Sequence, residues 1–173
     1  MSGQTITIFG TGRAKPGDPA YALAYQTGKI LAQAGFIIAN GGYGGTMEAA
    51  AKGAAEAGGK IIGVTCAAFE SSTANRYVSR QITAQSLDER LDTLIRLGQA
   101  YVVLPGGTGT LLELAKVWEL KNKGFLPGGK PIILVGGFWK PLLDLIAADD
   151  PDSRRHLELA DTPQQLRKIL TGY

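Results

Sequence analysis

Short apolar runs alternate with longer segments of helical periodicity along almost the whole chain. The apolar runs are continuous, with few polar residues between them, which favours strands buried on both faces of a parallel sheet. The predicted strands are Thr5–Phe9, Phe36–Ala39, Lys60–Val64, Ala100–Leu104 and Pro131–Val135. The polar segment from Glu70 to Arg80 has no clear period and is predicted to be a loop or an irregular crossover.

The segments between these strands carry apolar residues at three- and four-residue spacing, which predicts helices. Asp18-Pro19 has the form of an N-cap followed by proline at the first helical position, and Gly35 is a natural stop for that first helix. The later predicted helices are Met47–Ala57, Leu87–Leu97, Thr110–Asn122, Trp139–Ala148 and Pro163–Thr171, with Asp161 or Thr162 as the last cap. This repetition predicts one domain over residues 1–173, an α/β fold of the Rossmann-like, doubly wound type. Its sheet is expected to be mainly parallel, with helices on both faces.

Composition narrows the choice of partners and compartment. Lys and Arg number 18 against 15 Asp and Glu, and they are scattered, so nucleic-acid binding is not expected. No apolar run approaches the roughly 18 residues of a membrane helix, and the first residues lack the features of a secretory signal. We therefore expect a cytoplasmic protein without a membrane partner. With one cysteine (Cys66) and one histidine (His156), no multi-cysteine or multi-histidine metal site can form.

Glycine is unusually abundant, at 24 of 173 residues against an average of roughly 7%. Much of the excess follows predicted strands, where backbone N–H groups and helix N-termini can bind an anion. The loop over 106–110 carries two threonine hydroxyls beside its amides, which favours phosphate binding; the turn at 10–12 is open to a purely structural role. The candidate phosphate- and ribose-binding residues are Gly106, Gly107, Thr108, Gly109, Thr110, Gly42, Gly44 and Gly10. Neither a P-loop nor a complete dinucleotide fingerprint is present.

Three further side chains each have two interpretations. Glu113 completes a T-x-x-E capping box with Thr110, or it places a carboxylate beside the phosphate loop. Arg90 falls on the flank of an apolar helical stripe, from which it can lie on the surface or reach into a site. Tyr43 can stack on a base or pack locally.

The run Pro105-Gly106-Gly107-Thr108-Gly109-Thr110-Leu111-Leu112-Glu113 matches P-G-G-x-G-T-x-x-E, the signature of the LOG (Lonely Guy) family, often labelled as lysine decarboxylases. The segment 88–90 resembles the arginine-bearing helix of that family, and 41–48 resembles its earlier glycine loop. The resemblance implies a homodimer that hydrolyses the N-glycosidic bond of a nucleoside 5′-monophosphate such as AMP. The products would be a purine or cytokinin base and ribose 5-phosphate, with Arg90 and Glu113 as the catalytic pair. The loop over 106–110 would hold the 5′-phosphate, and no metal is needed. The decarboxylase label implies pyridoxal phosphate, but neither that cofactor nor lysine decarboxylase activity is expected here.

The chain also departs from the cytokinin-activating members of that family. Leu91 stands where they carry lysine, Gly10-Thr11-Gly12-Arg13 replaces a Cys-Gly-Ser-Ser run, and the stretch 69–80 does not match. The base is therefore open, and the alternative is a non-catalytic protein that binds or carries a nucleotide or phosphorylated cofactor, as related proteins do for the molybdenum cofactor. Apolar residues at Val117-Trp118 and Phe125-Leu126 are expected to support a dimer.

Overall fold

The computed structural model describes residues 3–69, 73–126 and 129–172. Within these residues seven strands form one sheet, and every pairing is parallel. The strands are β1 (Thr5–Phe9), β2 (Ile37–Asn40), β3 (Ile61–Cys66), β4 (Arg80–Ala84), β5 (Ala100–Val103), β6 (Ile132–Val135) and β7 (Leu157–Ala160). The helices are α1 (Pro19–Gln33), α2 (Thr46–Glu56), α3 (Leu87–Leu97), α4 (Thr108–Asn122), α5 (Lys140–Ala147) and α6 (Pro163–Thr171). A 3-10 helix over Pro151–His156 precedes β7.

The strand order is β4-β3-β2-β1-β5-β6-β7, so the chain builds one half of the sheet outwards from β1 and then returns to β5. Thr7 of β1 pairs with Ala39 on one side and with Tyr101 on the other. The point where the order reverses therefore lies between β1 and β5. In open parallel sheets this is the place where a ligand crevice forms, at the carboxyl ends of the strands.

Helices cover both faces of the sheet, which confirms the predicted doubly wound α/β fold. One core contains buried residues of α1, α2 and α6, and the other contains those of α3, α4 and α5. The first face is packed most closely where α1 crosses α2, because a methyl group on Gly28 would collide with the Ala50 carbonyl. The alanine-rich inner side of α2 is fully buried, as its small residues predict. None of the helices in the described residues has the length and apolarity needed to cross a membrane.

Two strands were missed by the sequence prediction, and both lie at edges of the sheet. β4 begins at Arg80, the end of the segment expected to be a loop, and β7 follows the 3-10 helix. Their side chains are largely exposed or only partly buried, so neither strand has the continuous apolar run of the inner strands. The expected loop is otherwise irregular at 73–79, and residues 70–72 lie outside the described part of the chain. Thr162 caps α6, as one of the two predicted choices.

Candidate functional site

A cleft of about 600 Å³ opens at the carboxyl edge of the sheet, beside the point where the strand order reverses. Its walls are the loop after β1, the loop that joins β5 to α4, the start of α3, and residues that follow β2 and β3. The lining residues used below are Gly10, Arg13, Tyr43, Phe69, Arg90, Gly107, Thr108, Gly109, Thr110 and Glu113. Five separate stretches of chain thus meet around one space.

The loop after β1 is fixed by α2. The Thr11 carbonyl accepts two hydrogen bonds from Thr46, one from its backbone N–H at 2.8 Å and one from its hydroxyl at 2.9 Å. A methyl group on Gly10 would collide with that threonine hydroxyl, and one on Gly45 would collide with the Thr11 carbonyl. Glycine at these two positions lets the turn lie directly against the start of the helix, so here the structural interpretation of Gly10 has clear support.

The loop after β5 is held at its base. The Leu104 N–H donates to the Phe9 carbonyl at 2.9 Å, and the Leu104 carbonyl accepts the Trp139 indole N–H at 3.0 Å. Helix α4 then begins at Thr108, with Gly107 as its N-cap and no capping side chain. Amides of the first turn of a helix have no partner within the helix, so this terminus offers N–H donors and a partial positive charge to the cleft.

The capping-box interpretation of Thr110 and Glu113 is wrong. Thr110 is the third residue of α4 and is buried, with its side chain folded against Gly106. Glu113 is the sixth residue of the helix, beyond the first turn whose amides a cap would satisfy. Its side chain faces the cleft, where it meets Arg90.

Arg90 is buried, with 7% of its surface exposed, so the surface interpretation of this residue is wrong. Its Nε donates to the Val64 carbonyl of β3 at 2.8 Å. The guanidinium carbon lies 5.5 Å from the centre of the Tyr43 ring and 5.7 Å from that of Phe69, within the range of a cation–π contact. The absence of a side chain at Gly41 is needed as well, because a methyl group there would overlap the guanidinium.

Glu113 forms the other half of a buried charged pair. Its Oε1 lies 3.8 Å from Nη1 of Arg90, and its side chain is 13% exposed. Burial raises the pKa of Glu113 to about 7, and the nearby Arg90 charge opposes that rise only in part. The site therefore holds a carboxyl group that changes its protonation near neutral pH, next to a fixed cation.

The predicted phosphate residues fall into two groups. Gly10 and the four residues Gly107, Thr108, Gly109 and Thr110 line the cleft together with Arg90 and Glu113. Gly106, Gly42 and Gly44 are not among its lining residues. Gly106 lies beneath the Thr110 side chain.

The glycine loop after β2 is braced by two asparagines. Gly42 has a left-handed backbone (φ 76°), and its N–H donates to the Asn40 side chain at 2.8 Å. The Asn75 amide donates to the carbonyls of Gly42 and Tyr43, at 3.0 and 2.9 Å. This loop therefore serves mainly as structural support beside the cleft, and Tyr43 is the residue of the loop that lines it.

Sequence reasoning missed Phe69 and gave no role to Arg13. Phe69 lies three residues after the end of β3 and remains 41% exposed within the cleft. Arg13, an exposed cation, lies at the turn after β1. The positions of both residues in the sequence could have indicated a place in the site. Both follow buried strands, and the carboxyl ends of these strands share one edge of the sheet.

The composition of the cleft suits an anionic ligand with an apolar part. Two arginines, helix-terminal amides and threonine hydroxyls offer donors, while Tyr43 and Phe69 offer aromatic surface. Across residues 3–69, 73–126 and 129–172 there is no group of three or more His, Cys, Asp or Glu side chains placed to hold a metal ion.

Sequence relatives include named enzymes. The chain is 26% identical to the cytokinin riboside 5′-monophosphate phosphoribohydrolase of Rhodococcoides fascians, over 83% of this chain and 74% of the relative. It is 29% identical to the rice enzyme of that name, LOG of Oryza sativa subsp. japonica, over 94% of this chain and 71% of the relative. These relatives confirm the resemblance to LOG proteins.

Solved structures with the same fold include carriers of a cofactor. The molybdenum cofactor binding protein of Rippkaea orientalis superposes with a TM-score of 0.81 and 25% identity, over 99% of this chain and 98% of that one. The molybdenum cofactor carrier protein of Chlamydomonas reinhardtii gives 0.76 and 25%, over 98% and 96%. The sequence profile of the SLOG cluster4 family matches residues 3–167, which is nearly the whole chain, so this protein belongs to the SLOG cluster4 family.

Proposed function

We propose that the protein hydrolyses the N-glycosidic bond of a nucleoside 5′-monophosphate, with AMP as the simplest substrate. The observation that carries this proposal is the buried Arg90–Glu113 pair, which faces a 600 Å³ cleft beside the uncapped start of α4. Relatives named phosphoribohydrolases support the same reaction class. The resulting products are a free base and ribose 5-phosphate.

The start of α4 binds the 5′-phosphate in this proposal. The space beside Gly107 and Gly109 is open, since a methyl group on either glycine would meet no atom within 4 Å. The partial positive charge of the helix terminus favours a dianion at this position. Arg13 adds an exposed positive charge to the lining of the cleft.

Glu113 and Arg90 then act on the ribose and base. The C1′–N bond breaks, a water oxygen bonds to C1′, and a proton from that water ends on the departing base. An ionised Glu113 stabilises the positive charge that develops on the ribosyl group and orients the water. Arg90 stabilises the negative charge that develops on the base or holds the ribose phosphate in place. All of these groups belong to this chain.

Turnover is tested by incubation with AMP and isopentenyladenosine monophosphate, followed by chromatography of the released base. Glu113→Gln keeps the size and hydrogen-bonding capacity of the side chain but cannot ionise, so it should lower kcat by about 100-fold or more. Glu119→Gln, in the same helix but on an exposed side chain, is the matched control. Folded wild-type protein that releases no base from a panel of 5′-monophosphates would refute the hydrolase.

The pH dependence gives a second test of the role of Glu113. The free protein must lose the Glu113 proton before the carboxylate can act, and the pKa of that group is about 7. The value of kcat/KM should therefore rise about tenfold per pH unit below pH 7 and level off above it. A rate that increases as the pH falls would instead make Glu113 a proton donor.

A second candidate is a protein that binds a phosphorylated cofactor or nucleotide without cleaving it. The observation that favours it is the fold similarity to the two molybdenum cofactor proteins, which covers nearly the whole of each chain. Calorimetry separates the two functions. Tight nucleotide binding with no base release supports a carrier, whereas turnover that is lost in Glu113→Gln supports the hydrolase.

We also propose that the protein is a homodimer. Val117 and Trp118 fill the core of this chain, so the sequence argument is wrong for these two residues. Of the other predicted pair, Phe125 is 71% exposed, whereas Leu126 is partly buried against that core. Leu111 and Leu112, near the start of α4, are exposed as well. Light scattering at micromolar concentration should give twice the 18.2 kDa chain mass, and a monomer mass would contradict the proposal.

A further inference from the structure

We infer that Phe69 and Tyr43 form the surface on which the planar base of the ligand stacks. This inference depends on the proposed nucleotide site and assigns its specificity. It commits the cleft to a fused heteroaromatic ring of purine or pterin size, attached to a phosphorylated group.

The Tyr43 ring is fixed in place by the end of β3. Its hydroxyl accepts the Cys66 N–H at 2.8 Å, while the Asn75 amide holds the Tyr43 carbonyl. A ring anchored at both its hydroxyl and its backbone cannot turn away when a ligand enters. It therefore provides a rigid backing for a second ring.

Phe69 is that second ring. A tight turn sets its backbone, with the Phe69 N–H bonded to the Cys66 carbonyl at 3.2 Å. The centres of the Phe69 and Tyr43 rings are 5.8 Å apart, and the ring planes are tilted by 37°. Phe69 is nonetheless 41% exposed, and it lines the cleft. A phenyl ring that keeps this exposure inside a ligand cleft is suited to stacking on a planar group.

The groups that line the cleft are spaced so that each can contact a different part of one nucleotide. Glu113 lies five residues after the start of α4, or about 7.5 Å along the helix axis. Nη1 of Arg90 lies 3.8 Å from Oε1 of Glu113, and the Arg90 guanidinium carbon lies 5.5 and 5.7 Å from the centres of the Tyr43 and Phe69 rings. A bound nucleotide would place its phosphate at the helix terminus, its ribose at the charged pair and its base at the two rings.

Binding is measured by calorimetry with two probes, formycin 5′-monophosphate and ribose 5-phosphate. Formycin has a carbon–carbon glycosidic bond, so it presents a purine-like ring that hydrolysis cannot remove. Phe69→Ala should weaken its binding about tenfold and change the affinity for ribose 5-phosphate by less than about twofold. Phe69→Trp should retain the affinity for both probes. Phe69→Leu keeps apolar volume without an aromatic face, so its affinity for formycin 5′-monophosphate should lie between those of the wild type and Phe69→Ala. Phe138→Ala is the matched control, since that exposed phenylalanine is not among the residues lining the cleft.

Two results would overturn the inference. Equal losses for both probes in Phe69→Ala would show that the ring only positions Arg90, and no loss for formycin 5′-monophosphate would show that it contacts no base. AMP turnover is measured separately on the same proteins. Base-dependent binding without turnover would refute the hydrolase and leave the stacking surface intact, so the two failures are distinguishable.

Discussion

The buried carboxyl group of Glu113 should make the stability of this fold depend on pH in a way that one substitution removes. In the native protein its pKa is about 7, against an ordinary value of 4.5. The native state therefore holds this proton over a range in which the unfolded chain has already lost it. Unfolding becomes more favourable as the pH rises through that range.

The magnitude follows from the separation of the two pKa values. Each pH unit between them is worth about 1.4 kcal/mol, so the total is about 3 kcal/mol. Below pH 4.5 the carboxyl is protonated in both states and the cost vanishes. The cost grows from there and is fully present above pH 7. For a chain of this length it corresponds to a change of roughly 6–12 °C in Tm.

The assay is urea unfolding of wild type and Glu113→Gln between pH 4 and pH 8. Trp118 and Trp139 are buried, so their fluorescence reports unfolding of the core. The free energy of unfolding of the wild type, relative to that of Glu113→Gln, should fall by about 3 kcal/mol as the pH rises. The comparison cancels the titration of groups that both proteins share.

Glu119→Gln again controls for the change from acid to amide, because its side chain is 58% exposed. A difference between wild type and Glu113→Gln that stays flat with pH would refute the reasoning. A difference that grows in favour of the wild type at high pH would refute it more strongly, since Arg90 would then outweigh burial.

Three other substitutions test the packing around the site. Gly28→Ala places a methyl group against the Ala50 carbonyl and should lower the free energy of unfolding by about 1–3 kcal/mol in urea; an unchanged midpoint would contradict the close helix crossing. Asn75→Ala removes the side-chain amide that donates to the Gly42 and Tyr43 carbonyls and leaves the Gly42 carbonyl with the residue-75 backbone N–H as its donor; it should cost about 1–3 kcal/mol, with faster hydrogen exchange in the glycine loop as the local readout. Tyr101→Phe removes the 2.7 Å hydrogen bond to the Ile95 carbonyl and should cost about 1 kcal/mol by thermal unfolding, whereas a more stable variant would show that the bond contributes nothing.

The inner part of the sheet could be predicted from the chain because burial on both sides leaves a direct mark on composition. Ile132–Val135 is wholly apolar and wholly buried. The edge strand β4 carries arginine, glutamine and threonine, because one side of it faces solvent, and the same polar residues also suit a loop. An edge strand is stabilised by pairing with its neighbouring strand. The local pattern of apolar and polar residues carries no information about that pairing.

The candidate site, like the sheet, could be predicted only in part from the sequence. Glycine-rich turns after strands identify which loops meet, since parallel topology brings them to one edge. The burial of Arg90 was not predictable from its helical position on the flank of a stripe. It depends on a carbonyl of β3, 26 residues earlier, and on the missing side chain of Gly41. Both contacts come from other parts of the sheet, so helical geometry alone favours neither outcome.

The way Arg90 is held has a consequence for the thermodynamics of binding. A free arginine side chain has about 2 kcal/mol of rotamer entropy, and an exposed arginine loses it when the side chain binds a ligand. Arg90 loses that freedom when the chain folds, because the Val64 carbonyl and two aromatic rings already fix its guanidinium. Association at this position should therefore carry a smaller entropic penalty than association through the exposed Arg13.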